Sequence, residues 1–451
     1  MLREGVAMPA RKTHTKHMDE ETRLAKNKRI KEAGIATRAR RSKMTVKVFD
    51  LKIAINRLNQ TQKEALTRVF LECKWIRNHA LASQRFDLDF LKELNGQVPV
   101  KTPSGVENRR IVWLGSQMQQ SVIHELSRNL EALNHTKANG RKVGKLKFVT
   151  ECKSIDLKQF GSTHKLLIDG KGRLSKAKVQ NIPGKLPIRG FEQLKRNGIE
   201  FANAKLVSKP DGWHILLTTY LPPEEKPKPK NEIGVDFGVK DQFTLSSGST
   251  FLETAGETER LKRLQRKLSR QVKNSNSYLR TRAKLQREYQ RIDYRKNELA
   301  NQLVHKWTEY NFVYFQDESI KSWMRRDSKS RGTKKIHAGI LGRVKARLRN
   351  SDRALMLPRY VATTAWCPKC GNKTPHDLSR RLFECGCGYT ANRDVHAARN
   401  MVILGKRYKQ LITSGTEGSA GGESVRLDAA FYAPVKQFSM KPETAKSLVS
   451  P

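Results

Sequence analysis

The sequence predicts an α/β multidomain chain, and three observations carry that expectation. Residues 44 to 221 hold several short runs of alternating apolar and polar residues, interrupted by one long stretch of helical spacing. A proline-rich charged segment, "PPEEKPKPKNE" at 222 to 232, then breaks the pattern. Beyond it, strand-like runs alternate with long helical ones up to a cluster of four cysteines. The first module reads as a β module split by helices. The second reads as a sheet with helices against it and a metal knot set into its far end.

Residues 1 to 43 are basic and almost free of large apolar groups, so they are expected to remain a disordered arm, or one ordered only by RNA. The alternative is that the native chain starts at Met44. From there "MTVKVFDLKI" alternates as a half-buried strand does, and "LNQTQKEALTRVFLECKWIRNHALASQRF" turns to helical spacing, with Leu66, Val69, Cys73 and Ile76 on one face. Helical patterning returns in "GSQMQQSVIHELSRNLEALNH". The runs "GRKVGKLKFVT", "KLLIDGKGRLSKAKV" and "AKLVSKPDGWHILLTTYL" then read as strands joined by glycine or Asp-Gly turns. After the linker, "IGVDFGVKDQFTLSSGSTF" reads as two strands and a turn, followed by two long helices broken at "NSNS". "FVYFQDESI" is a strand ending in acids, "ILGRVKARLRN" a basic helix, and "SDRALMLPRYVATTAW" another strand leading into the cysteines.

The chain has 451 residues, with 89 Lys and Arg against 43 Asp and Glu, a formal charge of +46 that calls for a polyanionic partner. Residues 259 to 296 alone hold fourteen Lys and Arg against three acids. A solvated helix face normally mixes signs to form i,i+4 pairs, so the imbalance favours a nucleic-acid groove. No run of about 18 apolar residues is present to span a membrane, and the first residues lack the apolar core of a signal peptide. A soluble, intracellular protein without membrane contact is the expectation.

Four of the six cysteines cluster. Cys367 and Cys370 are spaced CxxC, and Cys385 and Cys387 supply a second pair fourteen residues later, as CxC. Four thiolates suit a closed tetrahedral zinc site of structural type. A redox CxxC would not need the second pair. The CxC half requires a tighter turn than its partner. Acids form a second constellation. Asp236 stands mid-strand among apolar neighbours, where a carboxylate is costly unless it binds something. Asp317 and Glu318 follow the strand "FVYFQ", and Asp394 falls in the first turn of the helix after the cysteines. Singly, such an Asp is more often a helix cap. Together, three acids on separate elements would offer hard oxygen ligands to magnesium.

These stretches, "IGVDFGVKDQFTLSSG", "VYFQDES" and "CPKC…CGCGYTANRDVHAARNMVILG", resemble the split RuvC nuclease and zinc-ribbon region of the TnpB family, transposon-encoded RNA-guided nucleases related to compact type V CRISPR effectors. The resemblance covers about 232 to 405 well and rests on element order alone from 44 to 225. It implies an RNase H-like (RuvC) nuclease domain with a zinc ribbon, plus a wedge β-barrel interrupted by a helical recognition domain. The boundaries it implies are a wedge strand at 44–60, a recognition domain at 61–140 and wedge barrel at 141–225. RuvC then takes 226–365, a target-binding zinc ribbon 366–390, the last catalytic helix 391–408 and a flexible tail 409–451. The "MKPE" near the end of that tail also resembles the transposon form.

Carried over by position, the catalytic acids fall on Asp236, Glu318 and Asp394, with Asp317 in reserve, and the zinc ligands on Cys367, Cys370, Cys385 and Cys387. Gln316 stands where many relatives place the middle Glu, and His396 where many have Asn. The resemblance implies a guide RNA, double-stranded and displaced single-stranded DNA, a short target-adjacent motif, and two-magnesium hydrolysis of DNA in the service of transposon maintenance. Two other readings stay open: a nuclease-dead RNA-guided repressor, favoured by Gln316, and a compact CRISPR effector. A sugar-kinase-like phosphate hairpin at "GVDFGVKDQFTLSSG" lacks a second glycine-rich loop. Lys74, Trp75 and Arg77 are possible DNA contacts, with Trp75 better suited to the core.

Overall fold

The computed structural model describes residues 19–168, 174–195, 197–223, 228–309, 311–324, 333–374 and 380–413. The chain divides into two compact units, Met1–Glu225 and Lys226–Pro451, at the linker expected from its prolines.

In the first unit, α1 (Glu20–Arg41) corrects part of the expected disordered arm. Asp19 caps its first turn, and acids stand at its start and arginines at its end, as the helix dipole favours. It buries no residue. Arg40 and Arg41 both reach Glu200, which ties down its C-terminal end. Residues 1–18 lie outside the described chain.

Next come β1 (Thr45–Ile53), α2 (Gln60–Ser83), α3 (Leu88–Glu93), the hairpin β2 (Gln97–Thr102) and β3 (Gly105–Arg110), and α4 (Ser116–Ala138). α2 begins with a capping box between Asn59 and Gln62. Trp75 is core, 3% exposed, with Arg68 and Arg109 over its ring, and Arg77 pairs with Glu125. Glu72 is fully buried yet satisfied, since it accepts from the backbone N–H groups of Val112, Trp113 and Leu114.

The strands β4 (Ser154–Leu157), β5 (His164–Ile168), β6 (Leu174–Val179), β7 (Leu186–Arg189), β8 (Glu200–Lys209) and β9 (Gly212–Leu221) close the unit. With β1 they form one seven-stranded sheet, in the order β4-β8-β9-β1-β7-β6-β5. β1 pairs with both β9 and β7, so the strand before the helices and those after them share one sheet, a split β module as read from the sequence. Two differences stand. Residues 141–150 form no strand, and a hairpin sits inside the helical insertion. The stretch "GRKVGKLKFVT" alternates charge with apolar groups, but Asn78 holds Val149 through both backbone groups, which leaves Val149 no ladder to join.

The second unit is built on a five-stranded sheet, β12-β11-β10-β13-β14. β10 (Asn231–Phe237), β11 (Phe243–Leu245) and β12 (Thr250–Phe251) are antiparallel. The helices α5 (Glu259–Ser269) and α6 (Asn276–Thr308) lead to β13 (Asn311–Gln316), parallel to β10. Then α7 (Thr333–Ala338) and α8 (Leu341–Arg349) precede β14 (Ala354–Leu357), parallel to β13. A short hairpin, β15 (Leu382–Glu384) and β16 (Thr390–Asn392), runs into α9 (Arg393–Thr413).

The two faces of this sheet bury different helices, as the period of two requires. Val235, Phe237, Val313 and Phe315 pack with Ala300, Leu303, Val304 and Trp307 of α6 and Val344 and Leu348 of α8. Tyr314 and Leu357 pack on the other face with Met401 and Leu404 of α9. Two glycines set how closely α9 approaches. A β-carbon at Gly234 would lie 1.8 Å from the Ala398 carbonyl oxygen, and one at Gly405 would lie 2.2 Å from the Tyr314 ring. Glu232 adds a polar tie by accepting from Tyr314 and pairing with Lys406. Among the described residues, no helix is long and apolar enough to cross a membrane.

Candidate functional site

Alternation along β10 fixes where Asp236 points. Val235 and Phe237 face α6, while Gly234 abuts α9, so Asp236 faces the α9 side of the sheet, near the carboxyl end of the strand. Ends of parallel strands are where sheets of this kind present functional groups. Burial pushes the Asp236 carboxyl up to about 8, and the charges of Asp394 and Glu318 push the same way. Those two acids therefore lie close enough to Asp236 to act on it electrostatically. Among the described residues, the four cysteines are the group of three or more His, Cys, Asp or Glu side chains whose ligand atoms lie within 4.8 Å of one another; the three acids do not stand that close.

Each comes from a different element. β13 ends at Gln316, and the chain turns at once, with the Glu318 N–H donating to the Gln316 carbonyl oxygen at 2.9 Å. Asp317 is occupied: Lys345 binds its Oδ1 and Arg359 lies 3.4 Å from its Oδ2, which holds its carboxyl below the usual range. Glu318 makes no ion pair among the described residues, and burial raises its carboxyl against the opposing pull of Arg359 and Lys345. Asp394 opens α9, where Asn392 Oδ1 accepts from the N–H groups of Asp394 and Val395 at 3.0 and 3.4 Å. Arg393 and Arg381 approach its carboxylate at 3.4 and 3.7 Å.

Gln316 has a separate task. It is 5% exposed, and its Nε2 donates to the carbonyl oxygens of Pro358, Arg359 and Val361, while its Oε1 accepts from the Thr363 hydroxyl at 3.1 Å. Asn400 of α9 holds the same segment, donating to the Thr363 and Trp366 carbonyls at 2.7 Å each. A polar clasp thus links β13, the approach to the first cysteine pair, and α9. Sequence reasoning missed it, because an amide in a strand end carries no signal until its partners, more than forty residues on, are known.

The four nominated cysteines converge. Cys367 Sγ lies 3.6 Å from Cys387 Sγ, Cys370 Sγ lies 3.5 Å from Cys385 Sγ, and all four sulfurs fall within 4.8 Å of one another. Thiolates at tetrahedral corners, each about 2.3 Å from zinc, stand about 3.8 Å apart. The cluster fits a zinc site. In the first knuckle the Gly371 N–H returns to the Cys367 carbonyl; in the second the Gly388 N–H returns to the Cys385 carbonyl after one residue fewer. Both glycines have positive φ, 72° and 80°. The tighter CxC turn therefore closes without displacing its sulfurs. Hydrogen bonding led by the Cys387 N–H lowers the Cys385 thiol to about 6, which favours the thiolate a metal requires.

The knot and the acids are mechanically joined. Phe383 of β15 stacks on His396 of α9 at 3.7 Å between centroids and 12° between planes, and both are fully buried. His396 also meets Asn400 at 3.2 Å. A His thus serves the helix packing at a position where the resemblance suggested Asn.

Comparisons with known proteins point the same way. The OrfB_IS605 family model, described as "Probable transposase", matches residues 214–311, and the model "Cas12f1-like, TNB domain" matches 343–401. The latter spans all four cysteines and Asp394. The two models match separate stretches of the chain, each well under half of its length. Among curated relatives, a "Putative RNA-guided DNA endonuclease" of Streptomyces pristinaespiralis is 25% identical over 206 residues, 43% of this chain and 48% of that protein. The "Putative RNA-guided DNA endonuclease InsQ" of Escherichia coli (strain K12) is 27% identical over 224 residues, 43% of this chain and 54% of that protein. "Putative transposase A625R" of Paramecium bursaria Chlorella virus 1 is 22% identical, covering 48% of this chain and 53% of that protein. The chain spans about half the length of the curated relatives it matches. A Cas12f1 chain, from a complex with guide RNA and target DNA, aligns over 76% of this chain and 81% of its own with a TM-score of 0.39 and 12% identity.

Proposed function

We propose that this chain is an RNA-guided DNA endonuclease that hydrolyses phosphodiester bonds at Asp236, Glu318 and Asp394. The observation that carries the reading is the state of Asp236, a carboxyl pushed to about 8 by burial and by two neighbouring acids. Among the described residues no ion pair reaches Asp236 or Glu318. Such crowding is relieved by a cation, and a set of carboxylate oxygens suits magnesium. Asp236, Glu318 and Asp394 would hold it. When bound, magnesium supplies Lewis-acid stabilisation of the attacked phosphate and activates water for in-line attack.

The chain's own groups prepare that site. Burial and its acidic neighbours favour the protonated form of Asp236, and a bound cation would favour its carboxylate. Lys345 and Arg359 neutralise Asp317, which leaves Glu318 with uncommitted oxygens at the strand end. Lys345 also holds the Glu318 carbonyl at 2.6 Å and so fixes its backbone. The Phe383–His396 stack supports a structural role for the zinc ribbon in setting the start of α9 and the position of Asp394. A meander of three antiparallel strands continued by two parallel ones supports the RNase H-like reading. The names of two relatives supply guide RNA and DNA as partners. A target-adjacent motif and a place in transposon maintenance extend the proposal from the same resemblance.

A nuclease-dead repressor was favoured by Gln316. The amide's engagement with Pro358, Arg359, Val361 and Thr363 gives that residue a structural task instead. Cleavage separates the readings. With copurified RNA, a matched DNA and magnesium, Asp236→Asn, Glu318→Gln and Asp394→Asn should each cut at least ~100-fold more slowly while RNA-directed DNA binding persists. Wild-type cutting by Glu318→Gln would remove it from the site, and a wild-type chain that binds matched DNA but never cuts would establish the repressor.

A further inference from the structure

We propose that a cavity in the first unit holds one unstacked nucleotide of the bound RNA, with its base against an aromatic wall and its phosphate on a cationic rim. This rests on the guide-RNA reading above and adds a site to it. The cavity, about 690 Å³, lies where the end of α1, α4, the segment after β4, β8 and β9 meet. Its size falls in the range of about 300–1,000 Å³ usual for small-ligand sites.

The walls supply both halves of a nucleotide's chemistry. Phe160 and Phe201 lie 5.1 Å apart, tilted by 39°, and the Arg41 guanidinium sits 4.5 Å from the centre of the Tyr220 ring. Bases stack on such faces and on guanidinium planes. Gln159 and Asn203 place amides in the lining, donors and acceptors suited to a base edge. Asn203 is there because β8 advances three residues, Phe201 to Ala204, while β9 advances two, Thr219 to Leu217. That bulge is the kind of irregularity that re-aims a side chain into a site.

The rim carries excess positive charge. Arg128, Lys158 and His124 line it. Asp156 is shared between Arg128 at 3.7 Å and Lys205 at 2.9 Å, and Arg41 is held by Glu200. Lys158 makes no ion pair among the described residues. Burial and the Arg128 charge pull its amine down, and burial with Lys158 and Arg128 does the same to His124. An anion among these groups removes the repulsion, as a phosphate would. Folded RNA presents splayed bases in loops and bulges, whereas duplex DNA must break pairs to offer one. RNA is therefore the ligand assigned.

The test uses the full chain and the RNA that copurifies with it, labelled after extraction. Lys158→Ala and Arg128→Ala are expected to weaken RNA binding about tenfold each at moderate salt, more than Lys267→Ala on α5. In the wild-type complex, ultraviolet crosslinking should join one nucleotide to Phe160 or Tyr220. That nucleotide should gain reactivity to a 2′-hydroxyl acylating reagent in Lys158→Ala. Wild-type affinity in both rim variants, with crosslinks only elsewhere, would overturn the pocket and leave the guide RNA intact. A single-stranded DNA of the same sequence that binds equally well and loses affinity equally in the variants would overturn the assignment to RNA. Failure of the wild-type chain to retain RNA would overturn both the pocket and the reading beneath it.

Discussion

Asp236 combines two unfavourable conditions, a half-buried carboxyl on a packed sheet face and two acids within electrostatic reach. In the metal-free chain it holds its proton to about pH 8, whereas an unfolded Asp loses it near about pH 4. The folded state thus binds more protons between these values. The stability linked to this group is full below about pH 4 and is lost as pH rises toward 8. The unfolding free energy of the metal-free wild type, from urea titrations, should fall between about pH 5 and 8 relative to that of Asp236→Asn, by at least ~1 kcal/mol. Parallel curves would show that the group is not perturbed. Asp236 was legible in the sequence because an acid inside "IGVDFGV" conflicts with its apolar neighbours. The choice between positions 316, 317 and 318 was not legible, since it depends on the turn after β13 and on Lys345, Arg359 and the 358–363 segment coming to meet it.

At the scale of elements, the cysteine knot and α9 form one piece through Phe383, His396 and Asn400. Cys367→Ser should lower bound zinc from one per chain and speed amide exchange over residues 392–400. Zinc loss with unchanged exchange would separate the knot from the helix. The contact of α9 with the sheet is equally specific. Gly405→Ala places a β-carbon into the buried Tyr314 ring, so it should cost about 1–3 kcal/mol in urea unfolding; an unchanged midpoint would mean that the helix shifts freely. Strands and helices of the second unit were readable from their periods, as were the cysteines from their spacing. The glycines were not: Gly234 and Gly405 matter for what crosses them, and one sequence does not reveal the partner. α1 was misread because lack of apolar residues argues against burial, which it indeed lacks, but not against a capped helix anchored at Glu200.

For the whole chain, a formal charge of +46 favours a polyanionic partner, and the split β module and linker were visible in its patterning. What patterning does not reveal is the proposed convergence of residues 236, 318 and 394, which would depend on strand order and on the helix that follows the cysteines. The metal count tests that convergence most directly. Manganese substituted for magnesium and followed by electron paramagnetic resonance should show tight binding to the RNA-loaded chain, lost in Asp236→Asn and in Glu318→Gln but kept in Asp317→Asn. Manganese held equally by the wild type and by the Asp236 and Glu318 variants, or by none of them, would contradict a shared cation site at these three carboxylates.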